Sequence, residues 1–387
     1  MLQVVMSGLR WVIDLQYHIR AVAAMHFYRC LRSGHYLVVL KRNSPVGFFG
    51  VFDVQPGAYA EERFIKVAAP YALGPPIQFI SFLDNYVGSS FSLHRIKWRL
   101  KALTPDVDSI LEGFEDGDSI VVLRLDVSKM CAFMRQFYGQ LFFVPRDSEE
   151  CCAVGPHCSV LQFRYPMLYE GETAENIMKL LKTIEAKSNE GKRSITMIVG
   201  NKGTGKSMLT RVIANSLLKN FRPSVYILDC DIGQAEMNPP GCVSLLKVNS
   251  PLLGVPMFQQ RTILADTYFY GRIVFKDDMT SYLMLLRRLL ERFKSVSDPS
   301  SPLLINTCGW VEGKGSRLLD DLLKLFDPDF LFTLLTPTGP NYQVTKLNYL
   351  ISNLLVSSQQ KKRFYTIDLF VFCLTTSSIG WRAEHRG

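Results

Sequence analysis

The sequence lacks any long uninterrupted apolar run, which argues against a membrane-spanning protein. Residues 1–32 are the most apolar candidate, but Arg10, Asp14, His18 and Arg20 interrupt them before the length of about 20 residues that a span requires. No small-residue cleavage site follows a clean apolar core, so we expect no cleavable signal peptide. We expect residues 1–33 to form a helix packed on the body or a poorly ordered segment.

Cysteines with the spacing of metal ligands are also missing. The nine cysteines are scattered, and the cluster of Cys151, Cys152 and Cys158 has no metal-ligand pattern. Nothing in the sequence implies an oxidising compartment, so we interpret the cysteines as reduced thiols. Internal repeats and low-complexity tracts are absent as well.

Acidic residues are in deficit. The 387 residues contain 44 Lys and Arg against 35 Asp and Glu, which gives a net charge of +9 and a pI near 9.0. A basic balance favours an acidic partner such as RNA, although composition alone does not identify one. With 48% hydrophobic and 20% charged residues, we expect a globular chain of two or three domains.

A glycine-rich phosphate-binding motif lies in the middle of the chain. Gly200-Asn-Lys-Gly-Thr-Gly-Lys206-Ser207 fits the P-loop pattern, between an apolar run from Ile195 and a helical pattern that reaches Leu218. The glycines let backbone N–H groups surround phosphate oxygens, and the helix directs its positive end at them. We expect Lys206 to reach the outer phosphates and Ser207 to ligate Mg²⁺. The predicted ATP-binding residues are Gly200, Asn201, Lys202, Gly203, Thr204, Gly205, Lys206, Ser207 and Met208.

Two carboxylates follow the next predicted strand, Val225–Leu228. Asp229 and Asp231 fall where a parallel strand ends, and ligands of open α/β sheets bind at such ends. One carboxylate is suited to the Mg²⁺ shell and the other to accepting a proton from an attacking hydroxyl. The alternative is a pair of ordinary turn residues.

The remaining sequence predicts two architectures in succession. Short β-rich runs separated by turn residues fill residues 34–165 and predict a β-rich N-terminal domain; Phe48, Phe49 and Phe52 in it are core residues or a base-stacking surface. Residues 166–340 alternate strands and helices, which predicts an α/β P-loop domain with a mostly parallel sheet. One predicted strand, Pro302–Ile305, leads to Asn306-Thr307-Cys308-Gly309-Trp310. Trp310 in that glycine turn is either a stacking site for a base or a hydrophobic plug.

The motifs together resemble a known family. The run from Leu228 to Leu246, Pro251–Gly254, Tyr268–Gly271 and Asn306–Trp310 is similar, in order, to the nucleolar polynucleotide 5′-hydroxyl-kinases. That family is a sister branch of the kinases in pre-mRNA 3′-end cleavage. The similarity covers roughly residues 190–335 well and the β-rich part loosely.

The resemblance implies a function and a set of site residues. The chain would phosphorylate the 5′-hydroxyl end of RNA in pre-rRNA processing, in the nucleus and nucleolus, with ATP and Mg²⁺ and beside an endonuclease or other subunits of the processing complex. Lys206 and Asp231 would be catalytic, with Asp231 as the base. Ser207 and Asp229 would hold the metal, and Gln234, Thr307 and Trp310 would contact RNA.

The sequence also departs from the family pattern. Members carry an arginine-bearing lid after the Trp310 motif, whereas the arginines here, Arg317, Arg363, Arg382 and Arg386, do not have the lid's spacing. We therefore expect residues 341–387 to be an atypical C-terminal remnant. Two alternatives to the kinase stay open: an ATP-binding scaffold subunit of an RNA-processing complex with weak or no activity, and a generic P-loop ATPase acting on a partner protein.

Overall fold

A computed structural model gives the fold. It describes residues 3–5, 25–29, 35–40, 46–55, 65–69, 71, 77–80, 101, 108, 119–125, 129–145, 151–155, 158–161, 171–220, 224–236, 238–249, 251–252, 263–275, 278–335 and 363–368. None of the helices in these ranges is long and apolar enough to cross a membrane.

The N-terminal part is built on a nine-stranded sheet. Its strands are β1 (Gln3–Val5), β2 (Met25–Arg29), β3 (His35–Leu40), β4 (Val46–Gln55), β5 (Ile65–Ala69), β6 (Ile77–Ile80), β7 (Ser119–Leu125), β8 (Cys151–Gly155) and β9 (Cys158–Leu161). The main path runs β1-β6-β4-β7-β3-β2, β5 and β9 also pair with β4, and β8 pairs with β9. One helix, α1 (Lys129–Phe142), packs on β4.

The long strand β4 organises this sheet because it pairs with β5, β6, β7 and β9. Phe48, Phe49 and Phe52 on β4 are all buried, and the ring centroids of Phe48 and Phe52 lie 5.8 Å apart. They are therefore core residues, which answers the alternative of a stacking surface. An ion pair from Arg124 to Asp53, at 2.8 Å, joins β7 to β4.

The P-loop part is built on a second, seven-stranded sheet. Its order is β13 (Ile263–Phe269), β12 (Cys242–Val248), β11 (Val225–Asp229), β14 (Leu303–Asn306), β10 (Ile195–Gly200), β15 (Phe330–Leu335) and β16 (Arg363–Asp368). The strands β11, β14, β10, β15 and β16 are parallel to one another. Strand β12 pairs antiparallel with both β11 and β13. The prediction of a mostly parallel α/β sheet preceded by a β-rich domain is confirmed.

Helices cover both faces of this sheet. The core that includes α2 (Gly171–Asn189) and α3 (Lys206–Asn220) contains Ile198, Ile227 and Leu304. The core that includes α4 (Met279–Val296) and α5 (Lys314–Phe326) contains Met197, Leu228 and Ile305. Successive strand residues thus enter opposite cores, as the two-residue period of a strand requires. Burial on both faces explains why these strands are continuous apolar runs.

The structure differs from the expectations at both ends of the chain. Where residues 1–33 are described they form strands, and β2 pairs antiparallel with β3, so a helix is wrong for Gln3–Val5 and Met25–Arg29. His26-Phe27-Tyr28 is aromatic-rich, a composition that suits a pleated sheet better than a helix. In the segment predicted to be a C-terminal remnant, β16 pairs in parallel with β15 and extends the P-loop sheet. The apolar run Leu369–Leu374 lies outside the described residues.

Candidate active site

The topology brings three sequence motifs to one edge of the P-loop sheet. The P-loop follows β10, the carboxylates end β11, and the Asn306–Trp310 motif follows β14. Because β14 lies between β11 and β10 in the sheet, the carboxyl ends of the three strands are neighbours. The sheet order therefore places Asn306 between the carboxylates and the P-loop.

The P-loop has the backbone of a phosphate cradle. Gly203 and Gly205 have φ values of +79° and +84°, a backbone conformation that residues other than glycine rarely adopt. The Thr204 hydroxyl donates to the Asn201 carbonyl at 2.8 Å, and the Lys202 amide donates to Asn201 Oδ1 at 2.7 Å. Helix α3 begins at Lys206, so its free amides and its dipole face the loop. The geometry suits an anion of the size of a polyphosphate.

Lys206 is the charged group of this cradle. Its side chain is buried, and Nζ donates to the Asn201 carbonyl at 2.9 Å. Burial lowers the pKa of the Lys206 ammonium, and the nearby Asp231 carboxylate acts in the opposite direction. A buried cation with one neutral acceptor is poised to exchange that acceptor for phosphate oxygens. Met208, in the first turn of α3, is half-buried.

Asp229 is a fully buried carboxylate that several donors surround. Oδ2 accepts from the Glu236 amide at 2.6 Å, and Oδ1 accepts from the Asp231 amide at 3.3 Å and from Asn306 Nδ2 at 3.2 Å. Burial raises the pKa of Asp229 to about 7; the backbone hydrogen bonds from Glu236 and Asp231 oppose the shift, and the carboxylates of the same two residues add to it. Asp229 thus sits near its ionisation midpoint at neutral pH.

Asp231 is held in a defined orientation but remains accessible. Its Oδ1 accepts from the amides of Gly233 and Gln234, both at 3.0 Å. The side chain is half-buried, and Oδ2 has no hydrogen-bond donor within the described part of the chain. One carboxylate oxygen therefore fixes the group, and the carboxylate lies close enough to Lys206 for the two charges to interact. The Gln234 side chain is exposed.

Asn306 is a site residue that the sequence analysis did not assign a role. Its Nδ2 donates both to Ser207 Oγ at 3.1 Å and to Asp229 Oδ1 at 3.2 Å. The residue is 2% exposed, and its Oδ1 is buried without a hydrogen-bond partner among the described residues. One amide thus ties the two predicted metal ligands together and offers a spare oxygen. Its place directly after the predicted strand Pro302–Ile305 was the available signal in the sequence.

A buried ion pair supports the turn after Asp229. Arg211 on α3 donates to Glu236 Oε1, and both side chains are almost fully buried. The same Glu236 supplies the amide that binds Asp229 Oδ2. The helix that follows the P-loop is therefore connected to the carboxylate turn, a connection that the sequence analysis missed because 25 residues separate the partners.

The Asn306–Trp310 motif packs closely against the P-loop. Thr307 is buried, and its hydroxyl donates to the Ile198 carbonyl at 2.7 Å. This hydrogen bond connects the motif to β10, and it would have to break before the Thr307 side chain could contact RNA. A Cβ on Gly309 would lie 2.6 Å from Lys202 Cα. Trp310 is half-buried, with its ring 5.2 Å from that of Phe275. Part of the indole remains accessible beside the loop.

The residues present suit Mg²⁺ with bound phosphates. Ser207 Oγ, the Asp229 carboxylate and the unpartnered Asn306 Oδ1 are hard oxygen donors, which Mg²⁺ prefers. Within the described ranges no group of three or more His, Cys, Asp or Glu forms a metal site.

Comparison with known proteins agrees with this site. Residues 200–362 match the family model described as the P-loop of the mRNA cleavage and polyadenylation factor CLP1. A protein of Caenorhabditis elegans named polynucleotide 5′-hydroxyl-kinase nol-9 is 32% identical over 289 residues, which are 73% of this chain and 51% of that protein. The proteins named polynucleotide 5′-hydroxyl-kinase NOL9 in Danio rerio and Homo sapiens are 39% and 38% identical, over 41% and 35% of this chain and 21% and 18% of their own length.

These matches confirm the family resemblance. The chain spans about half the length of the C. elegans relative. A solved structure of a Clp1p–Pcf11p complex overlays 79% of this chain and 61% of that chain, with a TM-score of 0.44 and 12% sequence identity.

Proposed function

We propose that this chain, a relative of the polynucleotide 5′-hydroxyl-kinases with a CLP1-type P-loop, transfers the γ-phosphate of ATP to the 5′-hydroxyl of an RNA. The observation that carries the proposal is the fixed, half-exposed Asp231 beside a P-loop lysine. A bare ATP-binding module has no need of an accessible, oriented carboxylate at that place. The relatives' names supply the acceptor class.

The reaction is an in-line displacement. The 5′-oxygen of the polynucleotide forms a bond to the γ-phosphorus while the bond from that phosphorus to the bridging oxygen of ADP breaks. Asp231 Oδ2 accepts the hydroxyl proton, and ADP leaves with the bond's electrons. The hydrogen bonds that Asp231 Oδ1 accepts from the Gly233 and Gln234 amides would keep Oδ2 directed at the acceptor hydroxyl.

The other residues stabilise charge on the phosphates. The Lys206 ammonium exchanges the Asn201 carbonyl for phosphate oxygens, and the loop amides bind the remaining ones. Ser207 and Asp229 would hold Mg²⁺, with Asn306 fixing both; when bound, Mg²⁺ neutralises the negative charge of the phosphates. Partial burial excludes water around Lys206, which strengthens each of these interactions.

The cellular role of the chain is part of the same proposal. A place in pre-rRNA processing, in the nucleus and nucleolus, and an assembly with an endonuclease or other processing subunits rest on the family resemblance. The preference for RNA over DNA has the same support. A scaffold that binds ATP without turnover is the second candidate, because the arginines after Trp310 do not have the spacing of the family's lid.

The decisive experiment is transfer of labelled γ-phosphate from ATP to a 5′-hydroxyl oligoribonucleotide, with an oligonucleotide that already carries a 5′-phosphate as control. We expect Asp231→Asn to bind ATP like the parent and to lose at least about a hundredfold in transfer rate, since a neutral amide accepts no proton and general-base catalysis contributes about 10²–10⁴-fold. Equal transfer rates in parent and variant would make Asp231 structural. ATP binding without any transfer by the parent would support the scaffold instead.

A further inference from the structure

The loop after β13 carries an exposed apolar surface beside the candidate active site. Phe269 is 76% exposed, Ile273 63% and Val274 51%, and the exposed Arg272 lies among them. We call these four residues the loop strip. Adjacent exposed apolar side chains of this size usually mark an interaction site.

Main-chain hydrogen bonds attach the strip to the carboxylate turn. The amides of Tyr270 and Gly271 both donate to the Gly241 carbonyl, at 2.8 and 3.1 Å, and the Gly241 amide donates to the Ile232 carbonyl at 2.7 Å. A Cβ on Gly233 would lie 3.5 Å from the Ile273 carbonyl oxygen. The strip therefore runs directly past Asp231.

The position of Phe269 is fixed although its ring is exposed. Gly241 and Gly271 have φ values of +91° and +80°, and a Cβ on either would lie 3.3 or 3.5 Å from the ring. The ring thus contacts the backbone of two glycines. At its other end the strip leads to Phe275, whose ring is 5.3 Å from Tyr282 and 5.2 Å from Trp310. Phe275 is itself buried, so it anchors this end of the strip in the core next to Trp310 and adds no exposed ring.

We propose that the loop strip binds the nucleotides downstream of the 5′-terminal one in a single-stranded polynucleotide, with Phe269 as a stacking platform. This inference rests on the proposed function, in which the 5′-terminal hydroxyl lies at Asp231. A strand that leaves Asp231 meets Phe269 as the most exposed aromatic ring of the loop. Exposed aromatic rings next to cationic side chains are the usual surface for single strands, because bases stack while Arg or Lys binds the phosphates.

Charge and continuity favour a nucleic acid over a protein as the occupant. Arg272 supplies a positive charge within the strip and interacts with the nearby Asp278 carboxylate. Lys202 of the P-loop is exposed beside Gly309, and the chain as a whole carries a net charge of +9. The strip is also continuous with the candidate acceptor site. Docking of a protein partner is an outcome that the experiment below separates.

The test compares oligonucleotides of two lengths. Anisotropy of 3′-labelled 5′-hydroxyl ribonucleotides, without ATP, gives the affinity for a dinucleotide and for a hexanucleotide. We expect the parent to bind the hexanucleotide at least about fivefold more tightly. Phe269→Ala should weaken hexanucleotide binding roughly five- to more than a hundredfold, since stacking contributes about 1–3 kcal/mol per base, and should leave the dinucleotide unchanged.

Three variants serve as controls. Phe269→Tyr should retain hexanucleotide binding, whereas Phe269→Leu, which keeps an apolar side chain, should lose it. Met178→Ala removes another exposed apolar side chain, 53% exposed, on α2, which packs on the opposite face of the sheet, and should change nothing. Normal hexanucleotide binding by Phe269→Leu would overturn the proposal and indicate an apolar docking surface.

The outcome is separable from that of the kinase proposal. Equal parent affinity for both lengths, or no binding at all, overturns the loop strip even if phosphate is transferred to the dinucleotide. Length-dependent binding through Phe269 without phosphoryl transfer supports the strip and overturns the kinase.

Discussion

At the scale of single residues, the site depends on one amide. Asn306 Nδ2 holds Ser207 and Asp229 together, and hydrogen bonds to charged groups contribute about 1.5–3 kcal/mol. We expect Asn306→Ala to weaken ATP binding in the presence of Mg²⁺ by roughly ten- to a hundredfold and to raise the Mg²⁺ concentration needed for half-maximal binding. Calorimetric titration of ATP over a series of Mg²⁺ concentrations measures both.

A structural role alone would not change the Mg²⁺ requirement. Thr196→Val is the matched control, because Thr196 is a buried polar residue of the same sheet whose hydroxyl has no partner in the described part of the chain. If Asn306→Ala lowers thermal stability but, like Thr196→Val, leaves the Mg²⁺ dependence of ATP binding unchanged, Asn306 is a packing residue.

Because the pKa of Asp229 is raised, we expect the folding stability of the metal-free and nucleotide-free protein to depend on pH. Its folded pKa of about 7 lies above the unfolded value of about 3.9. Its contribution to stability is therefore full below pH 4, declines between pH 4 and 7, and is lost above. Relative to Asp229→Asn, which cannot ionise, the parent should lose stability from pH 5 to pH 8. Thermal unfolding of both proteins over that range measures the difference, and a difference independent of pH would contradict the raised pKa.

At the scale of elements, the sequence predicts the strands of the P-loop sheet well, but it predicts the contacts between the motifs of that sheet poorly. The strands β10, β11 and β14 are apolar runs bounded by turn residues, and each lies close to its expected position. Helix α1 and the hairpin of β8 and β9 were not predicted individually, because the short runs and turn residues of 34–165 indicated only a β-rich domain. Contacts such as Arg211 with Glu236 depend on strand order, which no local pattern encodes. The predicted roles of Gln234 and Trp310 remain proposals.

The contact between the Trp310 motif and the P-loop gives an element-scale prediction. A Cβ on Gly309 would lie 2.6 Å from Lys202 Cα and 2.7 Å from Lys202 N, so Gly309→Ala must displace P-loop backbone. We expect ATP affinity to fall by about an order of magnitude, although Gly309 itself binds no phosphate. Gly139→Ala on α1 is the control, since nothing lies within 4 Å of its Cβ. Unchanged ATP affinity in a folded Gly309→Ala variant would show that the two loops move independently.

At the scale of the whole molecule, one sheet edge collects every candidate group for phosphoryl transfer, and the helices on both faces hold that edge in place. Sequence patterns predicted both sheets because continuous apolar runs and short β-rich runs differ in length and in the turn residues that separate them. They did not predict that β2 joins the N-terminal sheet or that β16 extends the P-loop sheet, since both pairings are decided by neighbours distant in sequence.

Ligand binding should therefore stabilise the fold around that edge. Mg-ATP at a hundred times its dissociation constant adds about 2.7 kcal/mol to the free energy of unfolding, which for a unit of about 150–250 residues corresponds to a rise of roughly 5–10 °C in Tm. Lys206→Ala removes the buried ammonium that we propose binds the outer phosphates, so its Tm should rise much less at the same ATP concentration. Lys192→Ala, which removes an exposed charge paired with Glu190, should keep the parent's shift. Differential scanning calorimetry with and without Mg-ATP gives the three values. A shift in Lys206→Ala equal to that of the parent would mean that ATP does not bind at the P-loop, and both the kinase and the scaffold would then fall together.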